Sequence, residues 1–150
     1  MTPPFDLSAF LPYQLATAAA RVSRGFAGRY RAEFGLSIPE WRVLAHLAQS
    51  GVVSVREIQA RVDMDKSKVS RAAARLESAG LIVKAANAAD RRLLDMTLTP
   101  AGQALMGRIR PVADAYQAEV LATHGPDAEP FRRALIRLRD TGGGDDDDPA

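Results

Sequence analysis

The sequence contains no cysteine. This absence excludes disulfide bonds, thiolate metal sites and regulation by thiol oxidation. Histidine is scarce as well, since only His46 and His124 offer imidazole ligands, which argues against a zinc site. Glycine-rich phosphate loops and recognisable catalytic motifs are also missing. The sequence therefore predicts a protein that is not an enzyme and has neither a cofactor nor a metal.

Long apolar runs are lacking too. Apolar residues make up 47% of the 150 residues, yet no stretch approaches the roughly 18 consecutive apolar residues that a membrane span needs. The first ten residues lack the charged start and apolar run of a signal peptide. We therefore expect a cytoplasmic protein without a membrane partner, with a length that suits one domain.

The charge is unevenly distributed. The formal net charge is +2, but four of the 18 acidic residues form the run Asp145–Asp148 near the C-terminus. Without that run, 20 basic residues face 14 acidic ones. A basic body favours a polyanionic partner, although weakly. Residues 141–150, which also contain three consecutive glycines, are predicted to form a disordered acidic tail.

Apolar residues recur at three- and four-residue steps in most of the chain, which predicts helices. Residues 7–34 form the longest such segment, and its length suggests that it reaches a partner outside its own core. Capping boxes at Ser37 and Ser54 begin the next two helices. The first of these should run to about Gln49 and bury four side chains: Trp41, Leu44, Leu47 and Ala48. The second should bury Val55, Ile58 and Val62.

A third helix follows over residues 66–79, with Asp65 as its cap and Gly80 as its end. Residues 81–84 and 93–98 then read as the strands of a β-hairpin whose tip contains Asp90-Arg91-Arg92. Thr99-Pro100 restarts a helix, in which Pro111 predicts a kink or a break. A last short helix carries the apolar residues Phe131, Leu135 and Leu138.

The helix over residues 66–79 has two contrasting surfaces. Val69, Ala72, Ala73 and Leu76 are spaced to form one apolar face. Hydroxyl groups and long cations occupy the other faces, where they could donate hydrogen bonds to phosphates and guanine edges. The candidate DNA-binding residues on this helix are Ser67, Lys68, Ser70, Arg71 and Arg75.

Alone, this pattern would more often describe a solvated surface helix of mixed charge. Its context favours DNA binding, because a short capped helix precedes it and an arginine-tipped hairpin follows it, in the order of a winged helix-turn-helix. A winged module that serves protein contacts is the alternative. At the hairpin tip, Arg91 and Arg92 could enter a minor groove. Asp90 could orient an arginine or cap the turn, and the sequence leaves both open.

Several segments together resemble the multiple-antibiotic-resistance regulator (MarR) family. The resemblance covers roughly residues 7–140 and departs from the family pattern at residues 85–89, where an alanine-rich connection stands in the wing. The segments that carry it are Asp65-Lys66-Ser67-Lys68-Val69-Ser70-Arg71, Arg75-Leu76-Glu77, Gly80-Leu81-Ile82, Asp90-Arg91-Arg92 and Leu98-Thr99-Pro100-Ala101-Gly102.

The resemblance implies a mainly α fold with a small β-hairpin wing. Residues 35–99 would form the winged helix-turn-helix, and residues 7–34 and 100–140 a helical dimerisation region. It implies a homodimer that represses transcription from a pseudo-palindromic operator in double-stranded DNA. Ser67, Lys68, Ser70 and Arg71 would approach major-groove edges and phosphates, while Arg92, oriented by Asp90, would enter the minor groove.

The resemblance also implies release from DNA by a small anionic, aromatic or phenolic effector, bound between the dimerisation helices and the DNA-binding core. A cation, an imidazole and a phenol could together hold a carboxylate. Side chains of this kind are more often ordinary surface or interface groups. The candidate effector-binding residues are Tyr13, Arg21, Arg24, Arg42 and His46.

Overall fold

A computed structural model describes residues 1–62 and 64–141. Its helices and strands alternate in a winged-helix order, which confirms the predicted fold class. They are α1 (Leu11–Phe34), α2 (Ile38–Ser50), β1 (Val53–Ser54), α3 (Val55–Arg61), α4 (Lys66–Ser78), β2 (Ile82–Ala86), β3 (Leu94–Leu98), α5 (Pro100–Ala122) and α6 (Ala128–Thr141). Two compact units are present: Met1–Ala113, and a second that begins at Asp114 and contains α6.

The predicted caps begin α2, α3 and α4. The Ser37 hydroxyl accepts a hydrogen bond from the Glu40 amide at 3.3 Å and donates one to the Glu40 carboxylate at 2.8 Å. Ser54 accepts from the Glu57 amide at 3.1 Å. Asp65 accepts from the Ser67 amide at 3.1 Å. Each cap satisfies an amide that the first helical turn leaves without a partner, and such a cap contributes about 1 kcal/mol.

The core of the first unit forms around the apolar face of α4. Val69, Ala72, Ala73 and Leu76 are fully buried, as the spacing predicted. They belong to one cluster with side chains from α2, α3 and the sheet: Val43, Leu44, Leu47, Ile58, Ile82 and Met96. Full burial of a Val or Leu side chain contributes about 1.5–3 kcal/mol, so this contact dominates the placement of α4.

The sheet has three antiparallel strands in the order β1-β3-β2, where the sequence predicted only the hairpin β2-β3. The additional strand, β1, is too short to show any alternation, and it pairs Val53 with Met96. The strand β2 ends at Ala86 rather than at Lys84, because residues 82–86 pair with residues 94–98 along the whole hairpin. The hairpin therefore extends further towards its tip than predicted.

Three further details differ from expectation. A short 3-10 turn, Leu7–Ala9, precedes α1, which begins only at Leu11. On α2, Ala48 is exposed and Val43 is buried instead, because the buried side of this helix is centred on Val43, Leu44 and Leu47. The helix α5 continues through Pro111 without a break, although proline offers no amide hydrogen to the helix.

Apolar side chains stay exposed at both ends of the chain. They include Leu7, Phe10, Leu11, Tyr13, Val22, Phe131, Leu135, Ile136 and Leu138.

Two predictions from the sequence concern other parts of the chain. Within the described residues, no helix is both long and apolar enough to span a bilayer. The predicted acidic tail lies outside the described residues, except for Thr141, which ends α6.

The base of the hairpin is joined to the start of α5. The Thr99 amide donates to the Leu81 carbonyl at 3.0 Å, and the Thr99 hydroxyl donates to the Gly80 carbonyl at 2.6 Å. The same hydroxyl accepts from the Gly102 amide at 3.1 Å, as expected for a cap. These bonds bring α5 so close to Leu81 that a Cβ at Gly102 would overlap the Leu81 carbonyl oxygen.

We expect Gly102→Ala to lower the free energy of unfolding by about 1–3 kcal/mol, because the added methyl group meets backbone that cannot rotate away. Urea denaturation at a fixed protein concentration measures this change. The control is Gly107→Ala in the same helix, where nothing lies within 4 Å of a new Cβ. That substitution should stabilise the protein by about 0.5–1 kcal/mol. A Gly102→Ala protein as stable as the wild type would contradict the close approach.

Candidate nucleic-acid interface

The exposed surface of α4 has a centre and two edges. Since successive residues rotate by about 100°, Ser67, Arg71 and Ala74 point most directly away from the buried face. Lys68 and Arg75 lie along one edge of this surface, and Ser70 lies along the other. The predicted candidates of α4 therefore share one helix, but they do not all face in the same direction.

The helix α3 supports the exposed surface of α4 through Gln59. Its side-chain amide donates to the Ser70 hydroxyl at 3.2 Å and to the Lys66 carbonyl at 3.4 Å. At the start of α4, hydrogen bonds from the Ser67 amide and hydroxyl lower the pKa of Asp65. The Asp65 carboxylate is therefore ionised at neutral pH, which suits the positive end of the helix dipole.

The wing tip brings Asp90 and Arg92 together in a bidentate pair. Arg92 Nε donates to Asp90 Oδ1 at 3.1 Å and Arg92 Nη2 donates to Asp90 Oδ2 at 3.2 Å. The Arg92 amide also donates to Asp90 Oδ1, so Asp90 both orients the arginine and closes the turn. These bonds hold the pKa of Asp90 below its usual range. The Arg92 side chain is 90% exposed, and Arg91 beside it is exposed too.

Asn87 organises the same tip, and the sequence reasoning missed it. Its Oδ1 accepts hydrogen bonds from the amides of Ala89 and Asp90, both at 2.9 Å. Its Nδ2 donates to the carboxylate of Asp95 on β3 at 2.9 Å. An asparagine at the start of a hairpin loop is a known turn former, and this was the available signal. Asn87 thus anchors the loop that carries Asp90 and Arg92.

A small cavity of about 300 Å³ lies between α4 and the wing. Three cationic side chains line it, from α3, β2 and the wing tip: Arg56, Lys84 and Arg92. Ser70 and Gln59 line it as well. Arg56 and Lys84 were not among the sequence candidates, because only the fold brings α3, and the side of β2 that carries Lys84, beside α4 and the wing tip. The cavity therefore lies between the wing and the edge of α4 that carries Ser70.

On its other edge, α4 borders an open cleft of about 1010 Å³ against α1 and α2. Among the described residues, five cations and one carboxylate line this cleft: Arg31, Arg42, Lys68, Arg71, Arg75 and Asp65. Ile38, Pro39, Val62 and Met64 supply apolar surface. The cleft thus combines an excess of positive charge with an apolar wall.

Arg75, predicted as a DNA contact, makes an ion pair within the protein. Its Nε lies 3.3 Å from Oε1 of Glu40 in the first turn of α2. The Glu40 side chain is 15% exposed and the Arg75 side chain is 57% exposed. The pair therefore connects the second half of α4 to the start of α2 at the rim of the cleft.

The structure brings together some of the candidate effector residues. Arg24 and Arg42 line one cavity of about 520 Å³, and Arg21 and Arg24 line another of about 560 Å³. Tyr13 and His46 are absent from the residues that line these two cavities and the cleft. Burial, followed by the charge of Arg61, lowers the pKa of His46, so its imidazole is neutral at pH 7.

Comparisons with known proteins point to one family. Residues 34–93 match the family model described as the MarR family. Over 105 residues the chain is 33% identical to the HTH-type transcriptional repressor Rv2887 of Mycobacterium tuberculosis, covering 69% of this chain and 76% of that protein. It is also 33% identical over 88 residues to the repressor MdtR of Bacillus subtilis, covering 59% and 57% of the two chains.

Solved structures share the fold. The MarR family regulator SPO1453 of Silicibacter pomeroyi superposes with a TM-score of 0.79 at 28% identity, over 92% of this chain and 98% of that one. BpsR of Bordetella bronchiseptica superposes with a TM-score of 0.77 at 24% identity, over 95% and 100%. The BpsR structure is described as a mechanism for the regulation of its DNA binding by 6-hydroxynicotinic acid.

We expect Asn87→Ala to loosen the wing tip, because the substitution removes both bonds to the loop amides and the bond to Asp95. Hydrogen exchange at the amides of residues 89–92 should accelerate about tenfold, the effect of losing one to two net hydrogen bonds. Ala88→Ser, at the exposed neighbouring position, is the control and should leave exchange unchanged. Unchanged protection in Asn87→Ala would mean that other contacts hold the tip.

Proposed function

This chain belongs to the MarR family of transcriptional regulators, and from this premise we propose that it is a repressor that binds a pseudo-palindromic operator as a homodimer. The family and the fold are those of DNA-binding regulators rather than of enzymes. The observation that carries the proposal is the exposed basic surface of α4 beside a wing tip with an oriented arginine.

In the proposed complex, α4 enters the major groove. Ser67 and Arg71, at the centre of its exposed surface, then reach base edges, while Lys68 and Ser70 reach phosphates from its edges. Arg92, aimed by Asp90, enters the adjacent minor groove, with Arg91 beside it. The sugar–phosphate backbone that separates the two grooves would pass the cavity lined by Arg56 and Lys84. We therefore add these two residues to the proposed phosphate contacts.

The two ends of the chain, residues 7–34 and 100–140, form the dimerisation region in this proposal, and residues 35–99 form the DNA-binding domain. Support comes from apolar side chains that stay exposed in the single chain, on the first half of α1 and along α6. Exposed apolar patches of this kind typically mark protein interfaces. A two-fold dimer would place two copies of α4 on half-sites about 10 base pairs apart.

We further propose that a small anion with an apolar or aromatic body releases the protein from DNA. The cationic cleft beside α4 has a volume at the upper end of the range of small-molecule sites, roughly 300–1,000 Å³. Arg42 lines both this cleft and the neighbouring cavity that contains Arg24. We therefore place the effector near Arg42 and Arg24, with Arg21 further along α1. Tyr13 and His46 remain more distant candidates.

Selection of bound duplexes from a random pool tests the function. The wild-type protein should enrich a two-fold symmetric site. Arg71→Ala should then weaken binding to it by about 1–3 kcal/mol and relax the preference at one position in each half-site. Arg133→Ala on α6 removes the same charge far along the chain and is the control. An equal loss on all sequences would make Arg71 a phosphate contact, and no enrichment would contradict the proposal.

Dimerisation through α6 is tested by Leu135→Asp. A carboxylate in the centre of the Phe131-Leu135-Leu138 stripe should convert the dimer to a monomer at micromolar concentration, because an unpaired charge would have to be buried at the interface. Light scattering after size exclusion measures the mass. Arg133→Asp places the same charge on the opposite face of α6 and should leave the dimer intact. If Leu135→Asp stays dimeric, the interface lies elsewhere.

A further inference from the structure

The ion pair between Arg75 and Glu40 lies where two proposed activities meet. Arg75 belongs to α4, the helix that would read DNA, and it also lines the cationic cleft. Its partner, Glu40, belongs to α2 and is mostly buried. One guanidinium therefore lines the cleft and also pairs with a mostly buried carboxylate of α2.

Glu40 is held in place independently of Arg75. Its carboxylate oxygen Oε1 accepts a hydrogen bond from the Ser37 hydroxyl at 2.8 Å, and the same oxygen faces Arg75 Nε at 3.3 Å. The carboxylate also lies in the first turn of α2, at the positive end of that helix. Glu40 is thus a preorganised acceptor, whereas Arg75 is the long and mostly exposed partner that must adapt to it.

The buried face of α4 determines which side of the helix faces the core, and the pair with Glu40 adds a contact outside that face. Val69, Ala72, Ala73 and Leu76 are small or compact side chains along the middle of the helix. The pair with Glu40 lies on the edge of α4 near its C-terminal end, away from this apolar face, so we expect its loss to change how the helix is tilted against α2.

We propose that Arg75 is a positioning residue rather than a DNA contact, because its ion pair with Glu40 sets the orientation of α4 against α2. A carboxylate bound in the cleft would bind the Arg75 guanidinium in place of Glu40, and α4 would then lose this orientation. This second step rests on the proposed effector function. The competition follows from geometry, because Arg31, Arg42 and Arg71 line the same cleft and would hold an anion within reach of Arg75.

The competing assignment, Arg75 as a phosphate contact, makes opposite predictions. A phosphate contact contributes to the salt dependence of DNA binding, with a slope that changes by about one unit when the cation is removed. Removal of Glu40 would then leave DNA binding unchanged or improve it, because a repulsive carboxylate is lost. For a positioning residue, loss of either partner weakens binding to the same degree and leaves the salt slope unchanged.

The test uses the full chain and the duplex that the wild type selects. Glu40→Gln keeps the capping box, because glutamine serves at this position as well as glutamate. We expect Glu40→Gln, Arg75→Gln and the double variant each to weaken binding about fivefold, the effect of one partly exposed ion pair. Glu57→Gln is the matched control, since Glu57 takes the same capping position on α3 and pairs with Arg61 instead. Its affinity should equal that of the wild type.

Benzoate, with neutral benzamide as its control, tests the competition at constant ionic strength. Benzoate should release wild-type protein from the duplex and should lose this effect for both Glu40→Gln and Arg75→Gln, because neither variant has an ion pair that the anion could break. Benzamide should release none of them. Thermal melts of each variant check that the fold is retained.

Three results would overturn the inference. The first is a salt slope reduced by about one unit in Arg75→Gln together with unchanged or tighter binding by Glu40→Gln. The second is additive losses in the double variant, since coupled partners are non-additive. The third is no response to benzoate, or one that is equal in all variants. If the wild type bound no duplex, the proposed function would fail and the inference with it.

Discussion

The burial of one face of α4 is the constraint on which the rest of the structure depends. Its apolar side chains fill the space between α2, α3 and the sheet, so the opposite surface of the helix must face solvent. That surface carries the serines and arginines that suit nucleic acid. The burial of these few residues therefore also holds the basic surface towards solvent, because a rotation of α4 by one residue would bury a charge.

The two edges of α4 have different environments, and under the proposed function this difference would connect DNA binding with regulation. One edge faces the wing across a small cationic cavity, where Ser70 is held by Gln59. The other edge faces the large cationic cleft, where Arg75 meets Glu40. An anion in that cleft would therefore contact α4 directly. The proposed effector would then act on the proposed DNA-binding helix without a chain of intermediate contacts.

The sequence predicted the caps of α2, α3 and α4 and the buried face of α4, because each depends on residues within a few positions of one another. It missed β1, since a two-residue strand exists only through its pairing with Met96 on β3. It placed Ala48 inside and overlooked Val43, because the buried side of α2 is set by the elements packed against it. It also missed Asn87 as the organiser of the wing tip, although that residue type was a usable signal.

The sequence by itself determined the family, the order of the main helices and the hairpin, and the chemistry of the exposed side of α4, because spacing and residue type encode all three locally. Only the tertiary structure decided which cation has which partner. Arg71 and Arg75 look alike in sequence, yet one lies at the centre of the exposed surface and the other is paired with Glu40, 35 positions earlier in the chain. Such pairings depend on the distance between helices, and no local pattern contains that distance.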